Sequence, residues 1–190
     1  MRLLKAAALM LIAHVSLMAH TGAGATSGFA AGFGHPVGGL DHVLAMVAVG
    51  LWAVQTGGRA LWAVPAAFVG MMLFGGFLGL SQVNVPFIEA GIVGSVIILG
   101  TLIAAGVKLP TAAGMVIVGV FAIFHGHAHG AEMPVSAGGL AYCAGFALAT
   151  ALLHGAGIAA GMGLSRLAVE RMVRMSGGAI AASGVVLAFA

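Results

Sequence analysis

"GHPVGGLDHVLAMVAVGLWA" fills residues 34–53. It opens with His35, Pro36, Asp41 and His42, then runs on as almost pure hydrocarbon. An ionisable group beside so apolar a helix is expensive to desolvate. Polar side chains placed there need a reason, and the composition of the whole chain narrows what that reason is.

Of the 190 residues, 62% are hydrophobic and 6% are charged, where soluble domains carry about 25% charged residues. So few charges cannot cover the surface of a water-soluble globule, and the mean hydropathy of +1.18 agrees. The expected fold class is all-α, a polytopic membrane helix bundle. The 32 glycines suit it, because small residues let membrane helices approach closely. Gly75–Gly79 and Gly157–Gly161 have GxxxG spacing. General tight packing explains them more simply than a dedicated dimer face, and a homo-oligomer stays open. Cys143 is the single cysteine, which leaves no intrachain disulfide and no cysteine-based metal site. The pI near 9.8 does not point to nucleic acid, because the few basic residues sit between apolar spans and topology accounts for them.

Residues 1–25 read as a secretory signal peptide, with Arg2 and Lys5 ahead of a short apolar stretch and then small residues. Cleavage is expected after Ala19, which would make His20 N-terminal, or after Ala25. The rest, 26–190, is expected to form one domain of about six transmembrane helices, at 38–56, 60–80, 85–106, 110–128, 136–161 and 172–190. Each is near the ~20 residues that a crossing needs. The breaks between them are short, so neighbouring helices should be antiparallel. "GFAAGFGHPVGG", ahead of the first span, is too short to cross and reads as an outer-side or re-entrant segment covered by protein. With residue 26 outside, Arg59, Lys108, Arg166, Arg171 and Arg174 all fall on the cytoplasmic side, as the positive-inside rule requires. Trp52 and Trp62 flank the first inner loop, where an aromatic belt sits. The C-terminus comes out on the outer side.

The scarce polar groups then gather at the outer face. His35, Asp41 and His42 lie at the start of the first span, Glu89 at the start of the third, and His125, His127, His129 and Glu132 at the end of the fourth. Each has a plain alternative: Asp41 as a helix cap, His42 as a packing residue, Glu89 snorkelling to the surface, the histidines as an exposed tail. None of these explains why imidazoles and acids converge. In "FHGHAHGAE", residues 124–132, His125 and His129 are four apart and share a helix face, the spacing of helical metal motifs. Glu132 joins that face if the helix continues, and His127 is rotated away. His154 lies deeper, in "ALLHGAGIAAG", and reads equally as a second station or as a packing residue. Imidazole with carboxylate and no thiolate suits a borderline divalent ion, nickel, cobalt or zinc. The candidate metal ligands are therefore His35, Asp41, His42, Glu89, His125, His129, Glu132 and His154.

These stretches resemble the HupE/UreJ family of hydrogenase and urease accessory membrane proteins. "GHPVGGLDHVLAMVAVGLWA" is similar to its signature, "VPFIEAGIVGSVIILG" to its third helix, "FHGHAHGAE" to its HG-x-AH-G-x-E pattern and "LHGAG" to its fifth-helix histidine motif. The resemblance covers nearly the whole chain. It implies a secondary permease, with a cleaved signal and six helices, that carries Ni²⁺ across the bacterial inner membrane for hydrogenase or urease maturation. It places the important polar positions on His35, Asp41, His42, His125, His129 and Glu132, with Co²⁺ or Zn²⁺ as alternative cargo. No Walker motif is present, no organic cofactor is expected, and the partners are the ion and the lipid bilayer. The rival reading is an intramembrane metal-dependent hydrolase, with a metal-bound water attacking an ester or amide. Ligands must be deprotonated to bind metal, and unperturbed imidazole titrates near ~6.5. Metal uptake by cells should therefore weaken as the external pH falls below about 6, and a profile flat from about pH 5 to 8 would count against these ligands.

Overall fold

A computed structural model describes residues 28–133, 138–166 and 170–190, apart from the side chains of 165 and 166. The regular structure of these residues is entirely helical: α1 (Gly28–Gly38), α2 (Leu40–Thr56), α3 (Ala60–Leu80), α4 (Ile88–Ala105), α5 (Thr111–Ala131), α6 (Gly139–Arg166) and α7 (Glu170–Leu187). Helices α3, α4, α5 and α6 are each long and apolar enough to cross a membrane, and α1 with α2, bent by 82° at their junction, would make a fifth span. Helix α7 carries Glu170, Arg171 and Arg174 in its first turns, yet it packs along α4. Large apolar side chains such as Phe77, Val116, Leu152 and Val186 are exposed along the bundle, as a lipid-facing surface requires.

The expected spans correspond to α2 through α7, and the differences have local causes. Gly38 belongs to α1, because the chain turns sharply at Gly39. The segment ahead of the first span is itself a helix, in spite of Pro36. Helix α4 begins at Ile88 and not at 85, since Phe87 holds a left-handed turn with φ 60°. Helix α5 runs on to Ala131, which brings His129 onto the helix. The signal peptide, its cleavage points and His20 lie outside the described residues.

Helices surrounded by lipid gain little from hiding apolar area against each other, so close contact must hold them. Glycine provides it here. Gly75 and Gly79 meet the carbonyls of Ile123 and His127, and Gly126 and Gly130 meet those of Met72 and Gly76, which joins α3 to α5. Gly50 and Gly157 join α2 to α6, Gly100 and Gly177 join α4 to α7, and Gly32 and Gly145 join α1 to α6. A β-carbon at any of these positions would run into the facing helix. Both GxxxG pairs are spent on contacts inside the chain, since Gly161 packs on Val54 of α2. These tight pairs join helices that are not consecutive. The short loops reverse the chain direction, but the facing glycines decide which helices touch.

The two ends of the bundle differ. Arg59, Lys108, Arg171 and Arg174 all belong to one end, and the histidine- and acid-rich segments to the other. At the basic end, Trp52 departs from the expected aromatic belt. It is buried, and its indole N–H donates to the carbonyl of Val107 at 2.9 Å. Gln55 Nε2 donates to Ile103 O at 3.1 Å, and Arg174 Nε donates to Ala104 O at 2.8 Å. The carbonyls of Ile103 and Ala104 in the last turn of α4, and that of Val107 just beyond it, thus accept from side chains of α2 and α7, at a helix end where positive charge is also favoured. Trp62 is exposed and carries the Arg59 guanidinium 5.9 Å above its ring.

Substituting Gly50→Ala should lower the melting temperature of the detergent-purified protein, with a cost of about 1–3 kcal/mol for the forced separation of α2 from α6. Gly155→Ala, at an exposed position on α6 with nothing close to the added carbon, should leave it unchanged or slightly raised. Equal melting temperatures for the two variants would refute glycine-mediated contact as the cause.

Candidate metal site

Four helix ends build the site. The last turn of α1 supplies His35, the first turn of α2 supplies Asp41 and His42, the first turn of α4 supplies Glu89, and the last turn of α5 supplies His129 with Glu132 as its C-cap. Helix α5 places His125 and His129 on one buried face, four residues apart. A cavity of about 210 Å³ is lined by six of the eight expected residues: His35, Asp41, His42, Glu89, His129 and Glu132. Leu187 and Ala190, at the end of α7, close its side.

The rim is a mixed nitrogen and oxygen set. Ligand atoms of His35, His129 and Glu132 all lie within 4.8 Å of one another, and His35 Nε2 stands 3.3 Å from Glu132 Oε2. Three such atoms surround a point that a single cation can occupy. The acids also matter for charge, since a dication entering a low-dielectric site needs neutralising.

Further in, the rings continue. His42 lies with its centroid 4.3 Å from that of His129 and 4.7 Å from that of His125. Residues from two distant parts of the sequence therefore meet. Asp41 Oδ1 accepts from the backbone N–H of His42 at 2.8 Å and pairs with His42 Nδ1 at 2.7 Å. Gly39 makes this fold-back possible, because a β-carbon there would fall 2.7 Å from Asp41 Oδ1 and 2.8 Å from His42 Nδ1. His125 is fully buried behind the cavity, with Nε2 2.9 Å from Ser95 Oγ.

His154 is not part of this cluster. It is buried midway along α6, with its ring 5.0 Å from Phe68, and Phe68 is in turn 5.7 Å from His125. Phe68 therefore neighbours both imidazoles. His127 faces away and donates from Nε2 to the carbonyl of Val83 at 2.7 Å, tying α5 to the loop that follows α3.

The sequence reading passed over Gly39, Ser95 and Phe68. A phenylalanine in an apolar run carries no signal. Ser95 had a faint one, as a hydroxyl in the middle of "GSVIILG", and Gly39 was hidden among the other glycines.

The chain matches the family model described as HupE / UreJ protein over residues 7–187. It is 46% identical over 188 residues to "Protein HupE" of Rhizobium leguminosarum bv. viciae, which covers 97% of this chain and 94% of that protein. No solved structure matches. A match this long, with a relative this similar from end to end, makes the chain a member of the HupE/UreJ family.

Proposed function

We propose that this protein is a secondary permease that imports a divalent transition-metal ion, nickel above all, across the bacterial inner membrane for the maturation of hydrogenase or urease. One observation carries the reading: His35, His129 and Glu132 present ligand atoms within 4.8 Å of one another at the mouth of a membrane bundle, with more imidazoles stacked inward. An intramembrane hydrolase gains no comparable support.

The path begins in the cavity, whose 210 Å³ far exceeds the ~10–15 Å³ that one water needs. An ion can enter with part of its hydration shell and exchange waters for ligands. Asp41, Glu89 and Glu132 offset its charge. Weak binding at several successive groups favours release over trapping. His35, His129, His42, His125 and, past Phe68, His154 form such a series. Phe68 neighbours both of the last two, so its ring borders the proposed path. The membrane potential supplies about 4.6 kcal/mol per 100 mV for a dication, which makes uptake possible without ATP. Cobalt and zinc share the chemistry and are the natural competitors. On this topology the basic end faces the cytoplasm, with both ends of the mature chain on the periplasmic side.

Proteoliposomes holding the purified protein should accumulate nickel isotope, with cobalt and zinc competing to a measurable degree. Asp41→Ala, His129→Ala and Glu132→Ala should each reduce affinity by about 10–100-fold, while the variants remain folded. His127→Ala should retain uptake and lose only about 1 kcal/mol of stability from its loop hydrogen bond. Normal uptake in the first three variants would sink the permease reading.

A further inference from the structure

Counting protons at Ser95 fixes the tautomer of His125. Ser95 is fully buried in α4. Its Oγ lies 2.6 Å from the carbonyl oxygen of Ile92. A carbonyl has no proton to give, so at that distance the hydroxyl donates. The same Oγ lies 2.9 Å from His125 Nε2. With its single proton committed, Oγ can only accept, and Nε2 must carry the hydrogen. A neutral imidazole holds one N–H, so Nδ1 is left bare. Nδ1 is buried and has no hydrogen-bond partner among the described residues.

His42 is arranged in the complementary way. The Asp41 carboxylate accepts a hydrogen bond from the Nδ1–H of His42, which leaves Nε2 bare. That atom too is buried and lacks a hydrogen-bond partner among the described residues. The two rings stand 4.7 Å apart at 90°. Two unprotonated nitrogens kept in a buried place with nothing to bond are the state that metal binding requires.

We propose that Ser95 is a positioning residue: it locks His125 as the Nε2–H tautomer, so that His125 Nδ1 and His42 Nε2 form an inner two-imidazole station for the ion, deeper than the His35–His129–Glu132 set. The proposal rests on the permease reading and deepens it. The two partners also differ in kind. A carboxylate behind His42 makes that ring the stronger metal ligand, whereas a neutral hydroxyl behind His125 does not. The deeper imidazole is thus the weaker donor, which suits an ion that must move on.

The test begins with metal-free protein in nanodiscs, its histidines labelled with ¹⁵N. Nitrogen NMR should show His125 fixed as the Nε2–H form, a signal that His125→Gln removes while the Nε2–H signal of His127 remains. Ser95→Ala should turn that signal into a mixture of tautomers, and Ser95→Thr, which keeps the hydroxyl, should preserve it. Cobalt(II) titration, followed by its visible d–d bands, should show affinity reduced about 10–100-fold in Ser95→Ala and retained in Ser95→Thr. A wild-type His125 carrying its proton on Nδ1 overturns the proposal. So does an unchanged tautomer in Ser95→Ala, or a changed tautomer with undiminished cobalt affinity. Should Ser95→Ala fail to fold, the wild-type tautomer decides alone. The NMR reading needs neither metal nor flux, so a failure of nickel transport in proteoliposomes would leave it standing, and a wrong tautomer would leave the permease reading standing.

Discussion

Backbone touching backbone is the contact on which this bundle depends. In water, helices associate because apolar surface leaves the solvent. In a membrane the alternative partner is a lipid chain of equal greasiness, and that gain largely vanishes. What remains is dispersion at short range, and it rewards surfaces that can come very close. Paired glycines on α3 and α5, on α2 and α6, and on α4 and α7 allow such an approach. The site is a product of the same packing. His125 neighbours Gly126, and His129 neighbours Gly130, so the contacts that pull α5 onto α3 also fix the height at which both imidazoles sit.

Polar groups are tolerated at the cavity end because most of them answer one another. Asp41 is folded back over the start of α2 and holds His42. Ser95 holds His125, and Glu132 lies beside His35. The nitrogens left over at His42 and His125 carry a desolvation penalty unless something arrives to bond them. That cost is what the proposed inner station for a cation would offset.

Much of this was legible in the residues, and the limits have physical causes. Hydropathy located the helices to within a few positions, and four of them, α3 to α6, are long and apolar enough to cross on their own. The convergence of His35, Asp41, His42, His129 and Glu132 followed from topology, because alternating helix direction sends those segments to one end. Helix pairing was not legible. With 32 glycines, nothing in the string marks which two face each other, and the tight pairs turned out to be non-consecutive. Trp52 was misread for a related reason: its place near a loop suggested the membrane interface, but the carbonyl of Val107, just after α4, drew its N–H inward. The role of Ser95 was invisible because it depends on two distances, neither of which a sequence contains.

The fastening of α4 has a mechanical consequence. At the basic end, side chains of α2 and α7 are hydrogen-bonded to the carbonyls of Ile103 and Ala104 in its last turn and to that of Val107 just beyond it. Toward the cavity, where Glu89 lines the wall, Ser95 is bonded to His125 and Gly91 faces Phe124. Eighteen residues make a rod of about 27 Å, and a tilt of about 5° about its basic end would carry the other end through roughly 2 Å. That is close to the length of a bond between a transition metal and nitrogen or oxygen, ~2.0–2.2 Å. On the proposed permease reading, a rotation that small would separate a carboxylate within reach of an ion from one out of reach.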